Sequence, residues 1–429
     1  MEKQPSKLSS VILWSVISAA FIGPGSVTAS VAAGADYGLT LLWSVTFATF
    51  GCFAIQEISA RITIASGLTL GEAFEKKFGR RRGLLIGWVV GIIVILGCAA
   101  YQAGNILGAV AGLNLMTGYS YPLLTIFITL LAGVVLWIGG RNWISNTMAI
   151  MVVLMSIAFA ALAIAQDFSY VDFVVSSITP VMPSGSELLV LGMVGTTIVP
   201  YNVYLGAGIS KGQTIPLMRL GLAVSIAIGG VITAAILVAS ISIKNFNSFE
   251  EIANAMAAQV GPWAGSALGI GLFAAGFASA TTSPYASSLI ATTVFHIENK
   301  WKVRAIWITV LLTGFVFGMV PGVKPIPIIL TVQALNGLIL PLITMYLIII
   351  VNDEEIVPLK NQHDSRYNIV LMVILLACWL IGLNNIDITL SQRLKLEQAS
   401  HPLLVLAGTA VVMIYPVWMM YKKYRWFRI

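Results

Sequence analysis

The sequence predicts an all-helical integral membrane protein, and three observations carry that reading. Of its 429 residues, 58% are hydrophobic and only 10% charged, at a mean hydropathy of +0.92, which leaves too few polar side chains to coat a soluble domain. Apolar stretches of bilayer length recur from one end of the chain to the other, about twelve in all. Two of them, the first and the sixth, are interrupted at mid-length by proline, in "AAFIGPGSVTAS" (19–30) and "GTTIVPYNVYLG" (195–206).

The spans fall at roughly 11–34, 40–60, 84–111, 121–138, 143–165, 187–210, 220–243, 262–295, 303–320, 326–350, 367–386 and 402–421. The first is too long for a removable signal peptide and lacks a small-residue cleavage site. With twelve spans, the Lys and Arg residues fall on one side of the membrane, all but Lys244, Lys324, Arg393 and Lys395 of the 24. That bias places both termini in the cytoplasm and the protein in the cell membrane. It also accounts for the net charge of +7. A nucleic-acid footprint would need a basic face on a soluble domain, and no such domain is legible. Cys52, Cys98 and Cys378 all lie inside apolar segments and form no ligand-spaced pair, so neither a disulfide nor a metal cluster is expected.

Residues 1–429 read as one membrane domain. A five-helix set at 11–165 is followed by a second at 187–350 and by two additional helices at 367–421. Five is odd, so the second set enters the membrane from the opposite side and the halves are related by inverted topology. A Pro costs a helix interior about 3 kcal/mol and Gly about 1. Non-helical backbone is tolerated at membrane depth only where it is buried in protein or lines a cavity. Interrupted helices at matching places in two inverted halves point to a transporter's substrate site.

The residues that carry these breaks resemble the Nramp family of proton-coupled divalent-metal transporters, which share the LeuT-type inverted repeat. "GPGSVTASVAAGADYGLTLLW" (23–43) is similar to the family's first helix and the turn after it, and "QEISARITIASG" (56–67) to the end of the second. "VPYNVYLGAG" (199–208) resembles the sixth-helix break, "LFAAGFASATTS" (272–283) the eighth helix and "VQALNGLILPL" (332–342) the tenth. The departures bear on function. Where the family's first-helix metal motif reads Asp-Pro-Gly-Asn, this chain has Gly23, Pro24, Gly25 and Ser26. Where the sixth helix has Met-Pro-His, it has Val199, Pro200 and Tyr201. The proton-pathway Asp and Glu of helix three are matched by Gln102 and Asn105.

Sixteen of the 17 acidic residues fall in loops or at span ends; only Glu57 lies inside a predicted span, four residues before Arg61, a spacing that suits an i,i+4 ion pair. His296, His363 and His401 fall in loops or at span ends. A hard divalent cation asks for anionic oxygens, a softer one for thioether or imidazole, and a proton relay for Asp, Glu or His. The expected substrate site is therefore dipolar: Gly23, Ser26, Thr28, Thr196, Thr197, Val199, Tyr201, Asn202, Gln102 and Asn105, with helix N-termini that favour anionic groups and carbonyl ends that favour cations. Gln102 and Asn105 equally suit interhelical hydrogen bonding, as do Gln333 and Asn336 on the tenth span.

The expected activity is alternating-access secondary transport of a small neutral, zwitterionic or carboxylate-bearing solute, with no enzyme activity. The small hydroxyls of the eighth span suit close helix packing; the alternative is a sodium site that couples transport, in which Ser279, Thr282 or Ser283 joins carbonyls freed at the first break. The alternatives are a divalent-metal transporter, for manganese, iron or a hydrated ion such as magnesium, and a transport-dead sensor or scaffold. The expected partners are the lipid bilayer and a solute or ion, without nucleic acid; the sequence leaves the oligomeric state open.

Overall fold

The computed structural model describes residues 6–243, 246–322, 324–394 and 401–426. Among the described residues there are seventeen α-helices and no strand. The first predicted span is two helices, α1 (Lys7–Phe21) and α2 (Pro24–Tyr37), bent by 62° at the break. Then come α3 (Leu42–Ser66), α4 (Leu70–Phe78), α5 (Arg80–Thr117), α6 (Tyr121–Ile138), α7 (Arg141–Ile164) and α8 (Tyr170–Ile178). The sixth span is also two helices, α9 (Glu187–Thr197) and α10 (Pro200–Ile209). It is followed by α11 (Ile215–Ala239), α12 (Phe249–Val260), α13 (Trp263–Thr293), α14 (Lys300–Met319) and α15 (Pro325–Val351), and the chain closes with α16 (Ser365–Leu394) and α17 (Pro402–Trp426).

Among the described residues nine spans are long and apolar enough to cross a bilayer, one of them the α9–α10 pair over Leu189–Ile209, or ten with α1 and α2 joined. Two helices outside that count, α3 and α15, occupy the second and tenth predicted spans. Two charged residues, Glu57 and Arg61, sit in α3, which is buried over most of its length and so needs less lipid-compatible surface than an outer helix. The outer faces are apolar instead: Leu130, Ile157 and Val231 are each more than 60% exposed, as suits contact with acyl chains.

Three short helices, α4, α8 and α12, are absent from the sequence reading. Each starts at a Ser or Thr that accepts a backbone N–H, from Glu72 to Thr69, from Asp172 to Ser169 and from Glu251 to Ser248. The Thr69–Glu72 pair is a full capping box, which satisfies donors a helix start otherwise leaves free. Another difference lies in α16, which runs on to Leu394. Asp387, expected in a loop, is therefore helical, and its carboxylate lies 3.0 Å from His401 Nδ1.

Close contact between α5 and α13 builds the centre of the molecule. A Cβ at Gly276 would lie 2.4 Å from Ala109 N, and one at Gly112 would lie 2.3 Å from Phe273 N. The two backbones touch there, as small residues permit in membranes. Polar contacts tie α1 to α11: Ser10 Oγ donates to Leu217 O at 2.9 Å, Ser225 Oγ donates to Trp14 O at 2.7 Å, and Ser18 Oγ lies 2.8 Å from Ser225 Oγ.

Overpacking a tight core costs about 1–3 kcal/mol or more. Gly276→Val should therefore lower the apparent melting temperature of the detergent-purified protein by several degrees, followed by tryptophan fluorescence. Gly97→Val, which meets nothing within 4 Å, should leave it nearly unchanged.

Candidate functional site

The two breaks have the same local form. At the first, Ile22 (φ −82°, ψ 72°) closes α1 by donating its N–H to Ser18 O, Gly23 is extended, and Pro24 opens α2. At the second, Ile198 (φ −96°, ψ 74°) closes α9 by donating to Val194 O, Val199 is extended, and Pro200 opens α10. Proline suits the first helical position because an N–H there would have no intrahelical acceptor. The shared Ile-x-Pro is thus a stop and a restart written in three residues.

The carbonyls that α1 frees are met from other elements. Ala20 O accepts the Tyr201 hydroxyl of α10 at 2.8 Å, with Ser279 Oγ of α13 at 3.5 Å. Phe21 O accepts Ser26 Oγ across the break at 2.5 Å. A Cβ at Gly23 would lie 2.8 Å from Ser279 Oγ and 3.7 Å from Asn105 Oδ1. The first break, α10, α5 and α13 therefore converge on one buried region, and Ser279 fills the space that a side chain at position 23 would need.

Most of the expected site residues are already engaged with protein. Thr28 donates to Pro24 O at 2.8 Å, and Thr196 and Thr197 both donate to Met193 O, at 3.1 and 2.9 Å. Gln102 donates to Ala280 O of α13 at 2.8 Å, an interhelical bond, and accepts from Asn105 Nδ2 within α5 at 3.3 Å. Thr282 Oγ1 bonds Ala278 O within its own helix at 3.0 Å, and Ser283 Oγ turns to Cys98 O at 3.1 Å. Of the three residues expected around sodium, only Ser279 faces a carbonyl freed by the break. The side chains of Gln333 and Asn336 lie outside the described residues.

One expected residue stands apart. Asn202, in the first turn of α10, is fully buried, and neither its Oδ1 nor its Nδ2 has a partner. Buried amides are ordinarily hydrogen-bonded, and burying one unpaired is costly. Tyr101 was missed by sequence reasoning. Its ring meets the Tyr201 ring edge-on at a centroid distance of 6.1 Å, and its hydroxyl is likewise buried without a partner. The available signal was its place one turn before Asn105 on α5.

Further along α10 lies a small cavity of about 70 Å³, lined by Thr63, Tyr204, Lys211 and Thr293 among others. Buried and unpartnered, Thr63 Oγ1 and Tyr204 OH occur on its walls. Polar groups without partners thus occur both at the start of α10, at Asn202, and farther along it, at Tyr204.

Two discontinuous helices whose broken ends meet inside an all-helical bundle define a membrane transporter of the inverted-repeat class. The chain belongs to the Nramp family: the family described as natural resistance-associated macrophage protein-like matches residues 15–387. A relative from Yersinia pestis (strain Pestoides F), the divalent metal cation transporter MntH, is 24% identical over 84% of this chain and 92% of its own. The protein of the same name from Mycobacterium tuberculosis (strain CDC 1551 / Oshkosh) is 27% identical over 67% of this chain and 71% of its own. Among solved structures, the Eremococcus coleocola manganese transporter aligns with a TM-score of 0.77 at 15% identity, covering 98% of this chain and 94% of its own. MhsT aligns at 0.60 and 17% identity, covering 91% of this chain and 99% of its own. The fold is thus LeuT-type, as the paired breaks imply.

Removing the Tyr201 hydroxyl leaves Ala20 O without its short donor, a loss of about 1 kcal/mol. Tyr201→Phe should lower the melting temperature more than Ser279→Ala, whose contact is long. Equal shifts would mean that the hydroxyl does not close the break.

Proposed function

We propose that this Nramp-family protein is an alternating-access transporter of a divalent cation that keeps part of its water shell, bound where the two breaks meet. It would sit in the cell membrane with both termini cytoplasmic. The observation that carries this reading is the unpartnered Asn202 amide at the start of α10, a polar group held ready in a buried place. Support for a divalent cation comes from the relatives named above, each called a divalent metal cation transporter.

Support for a hydrated cation comes from the chemistry of the wall. Hydroxyls, amides and carbonyls contribute dipoles without formal charge. Such a wall replaces a dication's shell poorly but hydrogen-bonds well to water that stays on the ion. Magnesium, which dehydrates reluctantly, suits it better than a softer metal that seeks thioether or imidazole. Asn202, Tyr101 and Ser279 would face these waters. The path out would follow α10 past Tyr204 and Thr63 to Lys211.

A second reading is a neutral, zwitterionic or carboxylate-bearing solute, coupled to sodium at Ser279 and Ala20 O. It is favoured by the same uncharged wall and by the N-termini of α2 and α10, which attract anionic groups. A transport-dead sensor or scaffold is separated from both by flux.

The test is thermal stabilisation of the purified protein by Mg²⁺, Mn²⁺, amino acids and small carboxylates, each with and without Na⁺, followed by flux into proteoliposomes. A ligand at 100 times its Kd stabilises by about 2.7 kcal/mol, so Mg²⁺ should raise the melting temperature saturably without Na⁺. Asn202→Leu should abolish that rise while leaving the unliganded melting temperature unchanged or higher, since the amide has no partner to lose. Stabilisation by a carboxylate or amino acid alone, or only with Na⁺, would overturn the divalent reading. Gly23→Asp with Val199→Met should add Mn²⁺ stabilisation that the parent chain lacks, provided the new carboxylate displaces Ser279.

A further inference from the structure

The largest concentration of buried charge lies away from the breaks. Glu57 is fully buried on α3. Its Oε1 accepts Arg61 Nε at 3.0 Å and Arg61 Nη2 at closer range, and Arg219 Nε of α11 lies 3.6 Å away. Its Oε2 lies 2.7 Å from Nε2 of His363, a residue of the loop between α15 and α16. The His363 side chain is only 4% exposed, and its ring stacks on Tyr367 with centroids 4.1 Å apart and planes 7° apart. His363 Nδ1 and Tyr367 OH are both buried without a partner. The same loop is held again where Arg61 Nη1 donates to Asn361 O at 2.6 Å.

We propose that His363 is a proton-binding site that docks the α15–α16 loop onto α3 when its imidazole is neutral and releases the loop when it is protonated. With Nε2–H donating to Glu57, the neutral ring needs nothing further than a bare Nδ1 acceptor. Protonation places an N–H on Nδ1 where no acceptor is within reach, and a buried donor left unmet is costly. It also adds a third positive charge beside a single carboxylate that Arg61 and Arg219 already neutralise. Burial, with the two arginines acting in the same direction, holds the imidazole below its ordinary value of 6.5, against the opposing pull of Glu57.

The sign follows. A group whose pKa is lowered in the docked state favours docking above its pKa and undocking below it. Acidification therefore loosens the His363 end of the loop from α3, while Lys77 on Asp353 and Lys423 on Gln362 hold its flanks. The same helix α3 also meets α10, where Ser59 donates to Val203 O at 2.6 Å.

The test is hydrogen–deuterium exchange of the full-length purified protein between about pH 5 and about pH 8, with intrinsic rates normalised to peptides of α5. Peptides covering 352–368 should exchange about tenfold faster at the acid end, with a midpoint below 6.5. His363→Gln, which can still donate to Glu57, should exchange at the slow rate throughout. Arg219→Gln, an exposed change that removes one competing cation, should move the midpoint upward by up to about one pH unit. Absence of a step in the parent protein, persistence of the step in His363→Gln, or an unmoved midpoint in Arg219→Gln would each overturn the proposal.

Discussion

A backbone carbonyl freed inside a membrane must find a donor within the protein, and in this chain that donor is the Tyr201 hydroxyl on Ala20 O. The rest of the central architecture is arranged around that requirement. A proline restart demands an unwound residue before it. The unwound residue frees carbonyls one turn back, and hydrocarbon supplies no partner for them. The partner comes from the other broken helix, so the first interruption is stabilised by a residue of α10. Ser26 and Ser279 complete the arrangement from within the break and from α13.

Neutral and charged polar groups are kept apart in this molecule. The breaks are surrounded by hydroxyls, amides and carbonyls, whereas Glu57, Arg61, Arg219 and His363 gather on the side carrying the basic residues. Buried ions survive only in good geometry with several partners, and Glu57 has three. A dipolar wall makes a smaller demand and tolerates one amide left open. That division lets the cargo site be poised for a visitor while the charged cluster responds to the medium.

Much of this was legible in the sequence. The spans follow from apolar length, and the breaks follow from Pro24 and Pro200 within apolar runs, because proline has few places in a membrane helix. The pairing of Glu57 with Arg61 followed from their spacing. The part played by His363 did not, since hundreds of residues separate it from Glu57 and no periodicity links them. The hydroxyls of the eighth span were visible as a group. Which of them faces a freed carbonyl depends on the rotation of α13 against α5, and composition does not encode that angle. The three short amphipathic helices were written in their caps, Thr69 with Glu72 and Ser248 with Glu251, but a search for bilayer-length runs passes over them.

The contact of Gly276 and Gly112 with the facing backbones has a mechanical consequence. Two helices whose main chains meet without side chains between them leave no free volume for sliding, so any relative movement of α5 and α13 requires them to separate first. The Ser279 contact to Ala20 O, at 3.5 Å, is by comparison a loose join between α13 and the first broken helix.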